Sequence, residues 1–418
     1  MPAATLQDAL GNLALEMWVD NVVGDMLLEE NPLMGIIDKS WDEAGDPLVM
    51  GTTFGSDGGH SSTFANAQAN FNSSGEVKWI MALVDEHSIF QITNKTMLSM
   101  KRKGRAAMVD GLEHITQKAF KRFKRNMQLS LFRESHGARG QIASGSGTPT
   151  ITLVDPAEAV HFSIGDYITS SDNLTGTADD GEAIRVAGVD PIGGTLTRTG
   201  GNWNDGGNFA ANDYLFFDGT KGLKLNGLPD WVPPTDPTAT PFNGVDRTQD
   251  LVRLGGLRVV ADAALDGTHE AAIQRAVALS RRFGSKITDI FLENLDWQQV
   301  ARELGNPRVE LINPRRANGS VVGHISYSSI VLMTPAGPVN LLNATDQRSA
   351  VCHGIQRDTW KMFGNREPGL DKHDGNSVLR LNAQAALEGR FEAYLQLGCR
   401  EPGHNLTLDL TATQQTTP

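Results

Sequence analysis

The stretch that decides the fold is Lys101–Ser135, KRKGRAAMVDGLEHITQKAFKRFKRNMQLSLFRES. After Gly111 it holds neither Pro nor Gly, so nothing in it breaks a helix of about nine turns. Met108, Leu112, Ile115, Ala119, Phe123 and Met127 recur at helical spacing and predict one apolar stripe. The other faces are basic. Lys101, Arg102, Lys103, Arg105, Lys118, Lys121, Arg122, Lys124 and Arg125 stand against two acids, Asp110 and Glu113. That is a formal +7 in a chain of −12, so the remainder carries −19. The protein is acidic with one basic rod. A long amphipathic rod is a poor plan for a small-molecule site and suits a subunit that must reach its neighbours.

Upstream, Thr5–Glu30 places Leu6, Leu10, Leu13, Met17, Val22, Met26 and Leu27 as an amphipathic helical arm that stops before Asn31-Pro32. Little lies behind such a helix in sequence, so it must dock elsewhere. Gly45–Thr93 is punctuated by Gly51, Gly55, Gly58, Gly59 and Gly75, and Glu76–Val84 (EVKWIMALV) reads as a strand. Ala65–Phe71 alternates apolar and polar residues and fits either an exposed strand or a short helix. The segment carries too little apolar mass for its own core. It therefore reads as a protruding hairpin packed on another chain. Phe54, Phe64, Phe71, Lys78 and Trp79 are its candidate interface residues, joined by Leu10, Leu13 and Met17 of the arm.

Downstream, Gly137–Gly147 reads as a flexible link. TITLV, YITSS, AIRVAGV, GTLTRT and YLFF then follow at short spacing within Thr150–Phe217. They predict a small antiparallel barrel or sandwich inserted in the chain. Pro229–Pro241 is a Pro-rich extended connector. Thr268 caps a helix to about Phe283, KITDIFL is a buried strand, and Asn294 caps a second helix with Trp297, Val300, Ala301 and Leu304 inward and Gly305 as its stop. Strands over Gly319–Leu342 break at Pro335–Pro338. From Leu379 to Cys399 apolar residues alternate with polar ones over twenty residues, interrupted at Glu388-Gly389 by a turn or a bulge. The fold class is α+β.

Chemical motifs are missing. There is no phosphate loop, nucleophile elbow, His-Glu-x-x-His or dinucleotide fingerprint, so no catalytic, cofactor or metal residue is assigned. His269 and His373 sit near acids and read as structural. Asp57, Asp179, Asp180 and Asp205 lie in Gly-rich loops without calcium-loop spacing. Cys352 and Cys399 read as buried small residues in a reducing compartment, with a disulfide left open. No signal peptide and no membrane-spanning run is expected, so the Asn-x-Ser/Thr triplets, Asn405 among them, are not glycosylation sites. The basic rod reads as a solvated face, as one half of inter-subunit ion pairs, or as a non-specific contact to nucleic acid. No stacking aromatics interleave its basic residues, since Phe123 falls on the apolar stripe, which argues against sequence-specific binding.

The order of these parts resembles the Hong Kong 97-type major capsid protein of tailed bacteriophages. ENLDWQQVARELG is similar to a helix of that family's axial domain. NSVLRLNAQAALEGRFEAYLQLGCREPG is similar to its closing strands, and PFNGVDRTQDLVRLGGLR has the same texture. The resemblance implies an N-terminal arm over 1–44, an E-loop over 45–100 and a peripheral-domain spine helix over 101–136. It further implies an inserted β domain over 141–222, a connector with peripheral-domain strands over 223–259, an axial α/β domain over 260–357 and closing peripheral strands over 358–418. The function implied is self-assembly as pentamers and hexamers into an icosahedral shell around double-stranded DNA, a virion capsid built in the host cytoplasm. The implied partners are other copies, a separate scaffolding protein, a portal protein and packaged DNA, with a decoration protein as a further candidate and no membrane. No room precedes the E-loop for a fused scaffolding segment. Two other readings remain at this point. One is an encapsulin-type compartment shell of the same fold. The other is a β-rich carbohydrate-binding or adhesive protein, for which the insert offers only Trp203, Tyr167 and Tyr214.

Overall fold

The computed structural model describes residues 32–42, 45, 47–55, 57–94, 105–177, 181–206, 208–304, 330–335, 337–371, 379–381 and 385–414, and of 105–114 the backbone only. Two compact units form: Met1–Leu129 with Trp231–Pro418, and Ser130–Asp230.

In the first unit, α1 (Pro32–Ile36) leads into β1 (Asp38–Ser40). β2 (Leu48–Phe54) and β3 (Gly75–Met81) make an antiparallel pair, and α2 (Phe64–Ala69) lies between them in sequence. β4 (Val84–Thr93) precedes the long helix α3 (Arg105–Leu131). That helix ends four residues short of Ser135, and Lys101–Gly104 lie outside the described residues. EVKWIMALV is therefore not one strand. It splits after Met81, and its last residue opens β4, which belongs to a sheet and not to the hairpin.

The second unit holds β5 (Gly140–Ser144), β6 (Thr150–Leu153), β7 (Tyr167–Ser171), β8 (Ile184–Asp190), β9 (Thr195–Arg198) and β10 (Tyr214–Phe217). They close into a barrel in the order β10-β5-β6-β9-β8-β7. β5 lies inside the segment read as a flexible link. Gly140 pairs with Leu215 and Ile142 with Leu153, so two neighbours hold it. The barrel core is Ile142, Ile151, Leu153, Ile168, Val186, Leu196, Trp203, Phe209 and Leu215 with Ala159, Phe162 and Ile184. At its base the Asp230 carboxylate accepts from the Ser135 amide (2.6 Å) and the Gly227 amide (3.2 Å), tying the incoming chain to the outgoing one.

After α4 (Leu228–Trp231) come β11 (Leu257–Val260), α5 (His269–Arg282), β12 (Asp289–Leu292), α6 (Asn294–Glu303), β13 (Ile330–Thr334), β14 (Gly337–Asn343), β15 (Val351–Ile355), β16 (Trp360–Gly364), β17 (Gly369–Leu370), β18 (Leu379–Arg380), β19 (Ala386–Cys399) and β20 (Leu406–Asp409). The connector is not merely extended, because Trp231 and Val232 sink into the core.

Two six-stranded sheets organise the first unit. One runs β1-β16-β19-β17, with β18 and β4 also paired to β19. β19 is its centre, and β4 lies along it from Thr93↔Ala386 to Val84↔Leu395. No turn or bulge breaks it at Glu388-Gly389. A Cβ on Gly389 would stand 2.2 Å from the Phe90 ring, so glycine is there to let that ring cross the strand. On this sheet's apolar face the rings of Phe90, Phe120 and Phe123 gather on Phe391 at 5.7, 5.4 and 6.0 Å. Leu33, Met34 and Ile37 are buried in their own chain, and β1 pairs with β16, so the end of the presumed arm belongs to the fold.

The other sheet runs β11-β20-β15-β12-β14-β13. α5 and α6 cover one face through Ala272, Ile273, Ala276, Val277 and Val300 on Ile290, Leu292, Leu341 and Leu408. Thr268 caps α5 by accepting from the Ala271 amide. α6 is capped by Glu293, whose carboxylate accepts from the Leu295 amide at 2.6 Å, and Asn294 is its first helical residue. β20 lies within this sheet, so the C-terminal strands do not all return to the first one. Asn405 joins the two sheets: its Oδ1 accepts from Trp360 Nε1 and the Gln356 amide (both 2.8 Å), and its Nδ2 donates to Thr359. At 1% exposure it cannot be a glycosylation site.

Candidate assembly surfaces

The hairpin β2–β3 has two unlike faces because side chains alternate along a strand. Leu48, Thr52, Trp79 and Met81 are buried on one, and Val49, Gly51, Thr53, Glu76, Lys78 and Ile80 are exposed on the other. Trp79, expected at a subunit contact, is fully enclosed by its own chain. Its ring meets Trp231 at 5.1 Å and Phe242 at 6.1 Å, and its Nε1 donates to Thr52 Oγ1 at 2.8 Å. Thr52 in turn donates to the Arg400 carbonyl. The indole therefore fastens the base of the hairpin and is not offered to a neighbour. Phe54 is half-buried over Gly75. Beyond that pair, helix α2 buries none of its residues, and Phe64 and Phe71 remain 79% and 67% exposed. Lys78 is exposed. Leu10, Leu13 and Met17 lie outside the described residues.

α3 carries the basic candidates. Lys118, Lys121, Arg122 and Arg125 are exposed and fall at i, i+3, i+4 and i+7, on one helical face. Lys124 departs from the expected solvated rod. It is 2% exposed, because it shares the inward face with Phe120, Phe123 and Met127. Arg105 opens the helix, and Lys101, Arg102 and Lys103 lie outside the described residues.

The sequence reading missed Val49 and Ile80, a cross-strand pair on the exposed hairpin face, and Ile164 and Ile192 on the barrel. The alternation in LVMGTTF and WIM held the signal for the first two. Nothing in a loop composition marked the others.

Among the described residues no group of three or more His, Cys, Asp or Glu could hold a metal ion. No described helix is long and apolar enough to cross a membrane. His269 is buried with Nε2 3.6 Å from Asp296 and Nδ1 by Gln299, a packed structural pair. Cys352 and Cys399 are free and buried, and burial raises both thiols far above their ordinary range, which makes them inert. Asp57 and Asp205 are exposed loop residues, and Asp179 and Asp180 lie outside the described residues.

No family model matches the chain, and no curated protein matches it. Solved structures do. The chain is similar to the capsid asymmetric unit of cyanophage A-1(L), at 12% identity over 93% of this chain and 94% of that one, with a TM-score of 0.50. The chain has the fold of phage capsid proteins. The capsid of the native GTA particle also aligns, at 8% identity, 90% and 89% coverage and a TM-score of 0.47. A Mycobacterium phage Ogopogo chain does so at 9%, 90% and 91% coverage and 0.43. The resemblance to Hong Kong 97-type coat proteins thus holds at the level of fold, and it spans nearly the whole chain rather than one module.

Proposed function

We propose that this chain is a structural, non-catalytic major capsid protein that assembles as pentamers and hexamers into an icosahedral shell around double-stranded DNA. The observation that carries the reading is the end-to-end likeness to a capsid subunit, joined to a hairpin whose helix α2 buries none of its residues. In this reading Leu48–Met81 is the E-loop, and α3 with the β19-centred sheet is the peripheral domain. The sheet covered by α5 and α6 is the axial domain, and the barrel is an inserted domain. Phe64, Phe71 and Lys78 meet a neighbouring subunit, together with Leu10, Leu13 and Met17 of the arm. Lys118, Lys121, Arg122 and Arg125 meet phosphate or the acids of an adjacent copy. A separate scaffolding protein and a portal complete the particle in the host cytoplasm. Each contact can be weak because a closed shell sums many of them. Negative-stain electron microscopy of the protein expressed with and without its genomic neighbours tests this. Uniform closed shells are expected, and a monodisperse monomer or small oligomer under every condition overturns it.

A further inference from the structure

Two segments of this chain are one-signed, with opposite signs. Residues 1–31 hold six acids, Asp8, Glu16, Asp20, Asp25, Glu29 and Glu30, and no Lys, Arg or His. α3 is the reverse: from Ile115 to Leu131 it holds five cations and no acid. Lys124 is the buried one, so Lys118, Lys121, Arg122 and Arg125 carry the charge of the outer face. On the side that α3 covers, the strand β4 adds one acid, the half-buried Glu86 opposite Ala393. One acid against four exposed cations leaves that face basic.

The outer face is not purely polar. Ile115 and Ala119, expected in the apolar stripe, stay half-exposed, because the line that meets the sheet runs through Phe120 and Phe123 onto Phe391. Ile115, Ala119 and Arg122 follow at i, i+4 and i+7, so a short apolar strip borders the cations along the rod. The N-terminal segment has matching parts. Read as a helix, it sets Leu10, Leu13 and Met17 in one stripe, with Glu16 and Asp20 one turn apart at its margin.

We infer that the outer face of α3 seats the N-terminal arm of a second copy, with Glu16 and Asp20 on its lysines and arginines and Leu13 and Met17 on Ile115 and Ala119. The inference rests on the shell reading, in which the arm leaves its own subunit. Charge and the apolar border together choose the arm over nucleic acid. Phosphate answers the cations but gains nothing from Ile115 and Ala119, whereas an acidic amphipathic segment gains both burial and ion pairing. The seat lies on an exposed face, so salt weakens it.

The test uses full-length chains grown in light- and heavy-nitrogen media and mixed as purified subunits. They are assembled with the scaffolding neighbour or, where no particle forms, concentrated. A carbodiimide then condenses carboxylates with lysine amines, and the water lost passes to the carbodiimide. Absence of particles counts against the shell reading, while the map of linked peptides judges the seat. Mass spectrometry should find Glu16 or Asp20 joined to Lys118 or Lys121, in linked peptides of mixed isotope. Lys118→Glu with Lys121→Glu should abolish these links. Adding Glu16→Lys and Asp20→Lys should restore them with amine and carboxylate exchanged, which a merely structural or nucleic-acid role would not do. Lys118 and Lys121 are exposed, so melts of the reversed chain should overlay on the parent. Links confined to one copy, Lys118 and Lys121 joined only to other acids or to none, or no recovery in the double reversal overturns the inference. If the parent shows no arm link and Lys118→Glu with Lys121→Glu sheds copurified nucleic acid, the face belongs to DNA.

Discussion

Replacing Gly55–Ser74 by Asn-Gly should separate folding from assembly. Phe54 and Gly75 are the last paired residues of β2 and β3, so a two-residue turn can close the hairpin directly. The deletion removes α2, none of whose residues is buried, together with the exposed Phe64 and Phe71. Full burial of one such ring is worth about 1.5–3 kcal/mol. Both rings are already partly covered, so together they contribute about 3 kcal/mol to a contact with a neighbour, about a hundredfold in its affinity. Within the chain the loss is near zero, within about 0.5 kcal/mol as for other surface changes. Circular-dichroism melts should therefore overlay on the parent, while co-expression with genomic neighbours yields soluble subunits and no closed particles by electron microscopy. Normal shells would refute the role assigned to the hairpin tip. A melt far below the parent would refute the claim that the tip adds nothing to its own fold.

Trp79→Ala should do the reverse, because it empties a fully enclosed site against Trp231 and Phe242: a loss of about 3–5 kcal/mol is expected in urea unfolding, with poor yield. Gly389→Ala should destabilise by about 1–3 kcal/mol through collision with the Phe90 ring, and Phe90→Leu in the same chain should recover part of it in a double-mutant cycle. Asp230 supplies a pH test. Burial, with Glu134 beside it, pushes its carboxyl from 3.8 up to about 7. Between those values the folded chain keeps a proton that the unfolded chain has lost, so stability falls as pH rises through that window and levels off above it. Asp230→Asn keeps an amide oxygen for Ser135 and Gly227. It should be more stable than the parent above pH 7, by no more than about 4 kcal/mol, with the gap closing toward pH 4. Parallel melting curves across that range would contradict it.

Local patterns were legible where one chemical signal dominated. The alternation of FEAYLQLGC gave β19, and Thr268 and the spacing after it gave α5, because these depend on neighbours within a few residues. What depended on distant partners was not legible. β4 is an ordinary alternating run, and its place beside β19 rests on pairing across about three hundred residues. Gly389 looked like an interruption because its reason, the Phe90 ring, comes from that same distant strand. Lys124 was assigned to solvent by residue type, although its angular position lies with Phe120 and Phe123. Trp79 was given to an interface because its partners, Trp231 and Phe242, arrive from segments that read as loop. The hairpin tip was the easier half of the site, since Phe64 and Phe71 stand among polar residues with no local core to enter.

β20 bears on the order in which the molecule can be completed. It occupies Leu406–Asp409, after every other described strand in chain order, yet lies between β11 and β15 and hydrogen-bonds to both. A ribosome still adding residues just short of it holds a sheet with an open slot through its middle, its Leu406 and Leu408 positions unfilled. Synthesis runs from the N-terminus at about 5–20 residues per second. The hairpin and the long helix therefore emerge well before the subunit has a finished interior. β20 acts as a timer: a nascent chain cannot present a closed body to its copies until Leu406–Asp409 has been made and has entered the sheet.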